Sequence, residues 1–370
     1  MLSFVALTAG EFSFGTSGEN TIGTHRRYLN TLYVQTEGAW LHKDGTNLVV
    51  EVDGTEKGRV PAHLLGGLVC VGRVGVSPPL LGFCCESGVT VTWLAENGRF
   101  LARGEGPVAG NVLRRREQYR RSDDGTACAA LARSFVLAKT LNQRTVLRRA
   151  LRDHGDGMAP AAKSSVAAAE QRLTDIARRA QKDLTTDGLR GLEGEAAASY
   201  FGVLDHLLHD TQPELRFRGH SRRPPLDPVN ALLSLLYTLV THDCRSALET
   251  FGLDPAVGFL HRDRPGRPSL ALDLLEEFRP VLADRLMLSL LNCRQLGPSG
   301  FRRMENGAVL LTDEARREMI VAFQGRKQEE LLHPYLQEKA PLGLMPQLQA
   351  QLLARHLRGD LDGYPPFVWK

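Results

Sequence analysis

The sequence is poor in cysteine and has no long apolar run. Only 6 of its 370 residues are cysteine, and none of them forms a C-x-x-C pair. A small disulfide-built secreted domain and a cysteine-based metal site are therefore excluded, and we expect reduced, buried thiols. No stretch of about 18 apolar residues is free of charge, which excludes a membrane-spanning helix. The N-terminal MLSFVALTAG has no basic residue before its apolar run, so we expect no secretory signal and a cytoplasmic protein.

The chain also lacks a strong overall charge. Its 46 Lys and Arg against 42 Asp and Glu give a net charge of only +4. Positive charge is nevertheless concentrated between Arg114 and Arg149, where ten basic and three acidic residues give +7. Arginine suits phosphate because its planar guanidinium can donate two parallel hydrogen bonds. This stretch is the first candidate for phosphate contacts, and the arginines between Arg216 and Arg223 are the second. A solvated helix face with salt bridges is the alternative.

The hydrophobic period divides the chain into two parts. Between 28 and 112 the apolar segments are short and β-branched, with turns at Asp44–Gly45 and Asn97–Gly98 and a short helix at SPPLLGFCCE. Beyond 112 the period is helical. We therefore predict an α+β fold, a small N-terminal β-rich domain followed by a larger all-α catalytic domain. The predicted boundaries are an extension over 1–27, the β-rich domain over 28–112, a linker with the start of the basic helices over 113–130, and the catalytic domain over 131–370.

A few acidic and imidazole side chains stand in settings that suit a metal site for phosphate chemistry. Glu193 lies in GLEGE at the start of a predicted helix, and His261 follows GFL and opens the loop RDRPGRP. Asp273 shares a helix face with Glu276 and Glu277. Each has a plainer explanation: Glu193 as a helix-start residue, His261 as a capping or core residue, and the three carboxylates as a solvated face.

Longer strings carry a family resemblance. GLEGEAAASYF, RPPLDPVNALLSLLYTLV, GFLHRDRPGRPSLALDLLEEFRP and RGDLDGYPPFVWK follow one another in this order. Together with LNTLYVQ and GRVPAHLLGGLVCVG near the N-terminus, they resemble the CRISPR-associated integrase that inserts new spacers during adaptation. The likeness runs from about Tyr28 to Lys370 and is most similar to the type I-C branch.

The resemblance implies a site that binds Mn²⁺ or Mg²⁺. Its catalytic and metal-binding residues would be Glu193, His261 and Glu276, with supporting residues Asp273, Glu277 and Tyr200. Glu195 and Glu277 are the alternatives if the register is shifted, and Tyr200 contacts either DNA or the core. The implied reaction is attack of a spacer 3′-hydroxyl on a phosphodiester of the CRISPR repeat. The predicted DNA contacts are Arg114, Arg115, Arg120, Arg144, Arg148, Arg218 and Arg222.

The resemblance also implies partners. They are double-stranded DNA (prespacer and repeat), a second copy of the chain, a small adaptation partner dimer that bridges two integrase dimers, and an Fe–S nuclease that trims the prespacer. No membrane is involved. The β-rich domain is predicted to dimerise, because its apolar strands need cover: Leu68, Val69, Val71, Val89 and Val91. The residues leave two other functions open, a metal-dependent nuclease on branched DNA or RNA without integration, and a non-enzymatic nucleic-acid scaffold.

Overall fold

The structure is a computed structural model that describes residues 29–96, 98–106, 112–209, 212–221 and 224–369. The predicted extension over 1–27 lies outside these residues, as do Asn97 of the second predicted turn and the predicted DNA contact Arg222. The chain divides into two compact units. Of the described residues, the first unit contains 29–96, 98–106, 313–330 and 340–344, and the second contains the others.

The first unit is built on two four-stranded sheets. Its strands are β1 (Thr31–Val34), β2 (Trp40–Asp44), β3 (Asn47–Val52), β4 (Thr55–Pro61), β5 (Gly67–Val71), β6 (Gly75–Val76), β7 (Thr90–Leu94) and β8 (Phe100–Gly104). One sheet has the order β1-β5-β7-β8, in which only the β7–β8 pair is antiparallel. The other has the order β4-β3-β2-β6, in which only the β2–β6 pair is parallel. The predicted Asp44–Gly45 turn is confirmed, since it joins β2 to β3 with Gly45 at φ 59°.

Both sheets and the predicted short helix, α1 (Pro78–Glu86), share one apolar core. The side chains that were expected to need a partner are all buried, each at most 3% exposed, and three of them lie inside this core (Leu68, Val89 and Val91), while Val69 and Val71 are buried outside it. Strand β5 is interior to its sheet and buried along its whole length. The prediction that these residues need cover from a second copy is therefore wrong, because all five are already buried in the single chain.

The second unit is mainly helical. Its helices are α2 (Val112–Asp123), α3 (Gly125–His154), α4 (Pro160–Ala180), α5 (Thr186–Phe201), α6 (Pro228–Thr250), α7 (Ser269–Phe278), α8 (Arg285–Asn292) and α10 (Met345–Arg358), while α9 (Asp313–Gln328) belongs to the first unit. A π-helical turn, Arg279–Asp284, joins α7 to α8.

The remaining strands of the chain are β9 (Phe301–Arg303), β10 (Val309–Leu311), β11 (Glu330–Leu332) and β12 (Lys339–Pro341). Short 3₁₀ turns lie at Ala62–Leu64, Leu204–Leu207, Pro213–Leu215, Pro298–Gly300 and Leu342–Leu344.

The polar break SDDGT becomes the start of the longest helix. Asp124 accepts hydrogen bonds from the backbone N–H groups of Thr126 (2.8 Å) and Ala127 (3.1 Å), and this cap begins the 30-residue α3. The predicted α+β fold, with the β-rich part first, is confirmed. Among the described residues, no helix is long and apolar enough to cross a membrane.

Helix α9 has the helical period of the second unit but belongs to the β-rich first unit. Its Arg316 donates hydrogen bonds to Gln35 Oε1 (3.1 Å) and to the carbonyl of Glu96 (2.6 Å), both in the β-rich unit. A segment far along the chain thus returns to the first unit, which the pattern of a single helix does not reveal. Compact units need not coincide with functional domains, so the domain boundaries drawn from the sequence stay a prediction.

All six thiols are free, in agreement with a reduced protein. Cys70, Cys84 and Cys244 are buried, and burial raises the pKa of Cys70 to about 12. Cys85 and Cys128 are half-buried and Cys293 is exposed, so the expectation of buried thiols is wrong for these three residues. Cys293 directly follows the last turn of α8.

Candidate metal centre

Three helices of the second unit bring the predicted ligands together with a lysine. Lys139 lies on α3, Glu193 on α5 and Glu276 on α7, and His261 lies in the loop before α7. Helix α5 begins at Thr186, because the Thr185 hydroxyl accepts a hydrogen bond from the Gly188 N–H (3.2 Å). Glu193 therefore lies in the middle of its helix, and the prediction of a helix-start residue is wrong.

The ammonium of Lys139 lies between two carboxylates. Its Nζ contacts Oε1 of Glu193 and is 2.7 Å from Oε2 of Glu276. The other oxygen of Glu276 is 3.2 Å from a guanidinium nitrogen of Arg279 and 3.8 Å from Nε2 of His261. Glu276 is 1% exposed, and Asp273 and Glu277 are fully buried, so the solvated face considered for these three is wrong.

Asp273 holds the loop that carries His261. One oxygen accepts from the backbone N–H groups of Phe259 (2.6 Å) and Leu260 (3.0 Å). The other accepts from the His261 N–H (2.9 Å) and lies 2.7 Å from His261 Nδ1. When Nδ1 donates to this carboxylate, the lone pair of Nε2 is left facing Glu276. A Cβ at Gly258 would lie 2.8 Å from the Asp273 carboxylate, so only glycine fits this close approach.

The loop is also tied to the helix of Glu193. Arg190, one turn before Glu193 on α5, donates a hydrogen bond to the carbonyl of Leu260 (2.5 Å). Arg262 bonds Asp187 on the same helix (2.9 Å). These bonds fix the spacing between Glu193 and the imidazole. Arg262 is the arginine of RDRPGRP that contributes to this role.

The charges around Glu276 oppose its burial. Burial alone would raise the pKa of Glu276, but the cations of Arg279 and Lys139 and the His261 imidazole lower it to about 2. Burial likewise opposes the charge of Lys139, and the carboxylates of Glu276 and Glu193 raise its pKa. Each buried ion is thus compensated by its neighbours, which is the condition for keeping charges inside a protein.

Glu277 points away from this cluster and anchors the end of the chain. Its carboxylate accepts hydrogen bonds from the Tyr364 hydroxyl (2.6 Å), the Phe367 N–H (2.7 Å) and the Gln349 amide (2.9 Å). Burial raises the pKa of Glu277 to about 8, although these three hydrogen bonds act to lower it. The structure does not bring Glu277 together with Glu193, and the terminal YPPFVW segment docks on its own unit as an extended strap.

Asn142 completes this anchor and was missed by the sequence reasoning. Its amide donates to the carbonyls of Glu277 (2.7 Å) and Phe367 (2.9 Å), and its oxygen accepts from the Trp369 N–H (2.8 Å). Lys139 and Asn142 are three residues apart on one face of α3. The run FVLAKTLNQ holds four polar residues, Lys139, Thr140, Asn142 and Gln143, and all four are buried, so this interruption of the apolar pattern was the available signal.

Two other predicted residues lie outside the cluster. Glu195 is exposed and pairs with Arg179 at 2.9 Å, so the structure does not bring it to the site. Tyr200 is fully buried, and burial, followed by the Asp284 carboxylate, raises its pKa. It is the core aromatic that the sequence analysis named as the alternative.

The predicted arginine contacts have varied surroundings. Arg120 pairs with Glu117 (3.4 Å) and Arg148 with Glu170, so the salt-bridged helix face describes part of this stretch. Arg144 is half-buried, and burial, followed by its neighbour Arg148, lowers its pKa. Arg115 lies on α2, and Arg218 is exposed in the loop before α6.

Arg114 lines a cavity of about 470 Å³ that the sequence did not predict. The cavity lies between α2, the end of α6 and α10, and Arg355 and Arg358 also line it. The only carboxylate among its lining residues is Asp360, whose pKa is lowered by Arg358 first and also by Arg355 and Arg114. Three guanidiniums against one carboxylate leave a net positive cavity.

Within the described part of the chain, no group of three or more His, Cys, Asp or Glu side chains is spaced to hold a metal ion. At the predicted site, Lys139 already supplies a positive charge between Glu193 and Glu276. The donor types nevertheless suit a divalent cation, since two carboxylates already share one cation and Nε2 of His261 is 3.8 Å from one of them. Oε2 of Glu276 is buried, and its ion pair with Lys139 is not accompanied by a hydrogen bond.

Solved structures share this fold. A CAS1 protein from Thermotoga maritima matches 89% of this chain and 97% of its own, with a TM-score of 0.75 and 21% identity. A casposase bound to its integration product matches 92% of this chain and 94% of its own, with a TM-score of 0.78 and 21% identity. The Cas1-containing chain of a Cas6-RT-Cas1–Cas2 complex matches 97% of this chain and 37% of its own, with a TM-score of 0.77 and 22% identity. The chain therefore shares the fold of these proteins.

Sequence relatives define the family. The family model described as CRISPR associated protein Cas1 matches residues 32–325. A CRISPR-associated endonuclease Cas1 of Rhodospirillum rubrum is 59% identical over 93% of this chain and its whole length, and one of Chlorobaculum tepidum is 52% identical over the same shares. A Cas4 exonuclease/Cas1 endonuclease fusion of Rhodospirillum rubrum is 39% identical over 91% of this chain and 57% of its own. The chain belongs to the Cas1 family, and it is an enzyme of the nuclease and integrase class.

Proposed function

We propose that this chain is a metal-dependent DNA integrase that joins a DNA 3′-hydroxyl to a phosphodiester of a CRISPR repeat. The observation that carries the proposal is that Glu193 and Glu276 share one cation, the Lys139 ammonium, while Nε2 of His261 lies 3.8 Å from the other oxygen of Glu276. The casposase of the same fold, which is bound to an integration product, supports strand joining over simple cleavage.

Glu193, Glu276 and His261 would hold Mn²⁺ or Mg²⁺. A bound divalent ion would offset charge that develops on the phosphoryl group and lower the pKa of the attacking hydroxyl. Carboxylate oxygens suit both ions. The hydrogen bond from His261 to Asp273 keeps the imidazole in the tautomer whose Nε2 can act as a ligand.

The remaining groups would orient these ligands. Arg279 holds Oε1 of Glu276 and lies over the Tyr237 ring (4.9 Å), which limits the carboxylate to one orientation. In the joining step, the attacking 3′-oxygen would form a bond to phosphorus while the bond from phosphorus to the repeat's 3′-oxygen breaks. The proton of the attacking hydroxyl leaves with solvent, and the departing 3′-oxygen takes one up.

The DNA would be held by arginines. The predicted contacts Arg115, Arg120 and Arg218 belong to this proposal, and the cavity lined by Arg114, Arg355 and Arg358 adds a concave positive surface that suits a phosphate. Contacts of this kind position the strand and carry no sequence information by themselves. Arg144 and Arg148, which lie on the neighbouring helix α3, are proposed as further DNA contacts.

The proposed partners follow from the relatives. A Cas1–Cas2 complex has the same fold in its Cas1 part, and a Cas4–Cas1 fusion exists among the relatives. We therefore propose that this chain works as a homodimer with a small Cas2-like partner dimer and an Fe–S nuclease of the Cas4 kind, in the cytoplasm. The exposed side chains of Phe100 and Leu101 on β8 are available to such contacts.

A half-site integration assay with a prespacer and a repeat-bearing plasmid tests the proposal. Glu193→Gln and Glu276→Gln should each lower the joined product by more than about 100-fold, because each removes a charged ligand. Glu195→Gln is the matched control on the same helix and should join DNA like the wild type. Full product from both ligand variants would refute the site. Cleavage without joining would assign the site to a nuclease, and DNA binding without either reaction would assign the chain to a scaffold.

A further inference from the structure

The side chain of Lys139 is unusual for a long basic residue. It is 2% exposed, and it projects from the middle of α3 among buried neighbours such as Val136 and Thr140. Burying an ammonium in this way is unfavourable unless carboxylates compensate it. The compensation comes from Glu193 and Glu276, which belong to two other helices. Lys139 therefore links α5 and α7 through α3.

The atoms that Lys139 engages are the atoms that a metal ion would need. Nζ contacts Oε1 of Glu193 and Oε2 of Glu276, so these oxygens are not available to a divalent cation in this arrangement. An ammonium and a divalent cation that share two carboxylates also repel each other at short range. Binding of the ion must therefore move the ammonium off at least one carboxylate.

The charge balance points in the same direction. Glu193, Glu276 and Asp273 carry three negative charges, and Lys139 and Arg279 carry two positive ones. Arg279 engages the opposite oxygen of Glu276, so it does not block the side that faces Glu193. Lys139 is the cation that lies between the two carboxylates proposed as ligands.

We propose that Lys139 is a built-in competitor of the metal ion, a positioning residue that holds Glu193 and Glu276 together in the metal-free protein and weakens their affinity for divalent cations. The proposal rests on the metal site of the proposed function. A site that holds its own counter-ion keeps its shape without metal, and it binds metal less tightly than the same ligands would alone. Replacing Lys139 by a neutral residue should therefore strengthen metal binding, whereas damage to a merely structural lysine would weaken it.

The test is Mn²⁺ binding to the full-length, metal-free protein, measured by calorimetry and by the free Mn²⁺ signal in electron paramagnetic resonance. Lys139→Met should lower the Mn²⁺ dissociation constant by about 10-fold or more, since one adjacent positive charge is lost. Lys182→Met, at an exposed lysine after α4, is the control and should bind like the wild type. Lys139→Gln keeps a donor for a carboxylate, and it serves the same comparison if the Met variant does not fold.

A second readout separates competition from general disruption. In EDTA, Lys139→Met should unfold at lower urea concentration than the wild type, because two buried carboxylates lose their counter-ion. Saturating Mn²⁺ should raise its unfolding midpoint more than it raises that of the wild type. Unchanged or weaker Mn²⁺ binding in the folded Lys139 variants would overturn the inference. Equal Mn²⁺ binding by the wild type and Glu193→Gln would instead overturn the metal site itself.

Discussion

At the scale of single residues, the polar side chains inside the helical unit explain the site. Asp273 was expected to support the ligands, and it does so by accepting four hydrogen bonds from one loop. Glu193, His261 and Glu276 could be named from the sequence because they stand in recognisable strings. Lys139 could not be placed, since it was one of ten basic residues in a stretch that suggested an exposed face. Only the packing of three helices shows that it is buried.

The Asp273 carboxylate gives the first prediction. In Asp273→Asn, one carboxylate oxygen becomes an NH₂ group that faces N–H donors, and at least one buried donor loses its acceptor. We expect the free energy of unfolding to fall by about 1–3 kcal/mol and metal affinity to fall by about 10–100-fold. Urea unfolding and Mn²⁺ titration measure the two effects. Asp175→Asn, on the exposed side of α4, is the control, and equal stability of both variants would contradict the role of Asp273.

Asp284 gives a prediction about pH. It is 1% exposed, and burial raises its pKa from 3.8 to about 6, although the Tyr237 hydroxyl bonds it at 2.6 Å. The folded protein therefore retains a proton that the unfolded chain has already lost, and stability falls as pH rises from about 4 to 6. Asp284→Asn should remove up to about 3 kcal/mol of this fall, as measured by urea unfolding at several pH values. Parallel pH profiles for the variant and the wild type would contradict it.

At the scale of elements, the end of the chain helps to support helix α7. Asn142 and Glu277 hold the terminal strap against α3 and α7, and Arg149 lies over the Trp369 ring at 3.9 Å. From the sequence, the terminal string RGDLDGYPPFVWK contributed only to the family resemblance. The partners of Glu277 were hidden because they lie 72 to 90 residues away.

The strap gives a prediction with a matched pair of tyrosines. Tyr364→Phe removes the donor to Glu277 Oε1 and leaves this buried oxygen with one partner fewer. We expect a loss of about 1–3 kcal/mol in the free energy of unfolding, measured in urea. Tyr335→Phe changes the same group at a side chain that is 50% exposed, and it should be neutral. If the two variants are equally stable, the strap does not support α7 in the way described.

At the scale of the whole molecule, the order of a β-rich part and a helical part was readable from the hydrophobic period. The switch from β-branched segments to helical spacing falls where the structure changes from strands to α2 and α3. The return of α9 to the first unit was not readable, because Arg316 finds its partners by tertiary contact. The cover of Leu68 and Val91 by their own unit was missed for the same reason.

The uneven charge of the molecule leads to a prediction about salt. The net charge is +4, but it is concentrated on the helices that we propose as the DNA surface. If 6–10 phosphates are contacted, DNA affinity should fall about 10³–10⁵-fold between 50 and 200 mM salt. Arg120→Gln should lower the slope of log affinity against log salt by about 1, whereas Arg178→Gln on α4 should leave it unchanged. A flat salt dependence in the wild type would contradict phosphate binding.

The central claim is that Glu193, His261 and Glu276 hold one divalent ion. Crystals of the full-length protein grown with Mn²⁺ and measured at the manganese absorption edge test it most directly. The account predicts one anomalous peak bonded to oxygens of Glu193 and Glu276 and to Nε2 of His261, with the Lys139 ammonium displaced from at least one carboxylate. A peak elsewhere would contradict it. So would the absence of a peak among these three side chains in crystals of a protein that binds Mn²⁺ in solution titration.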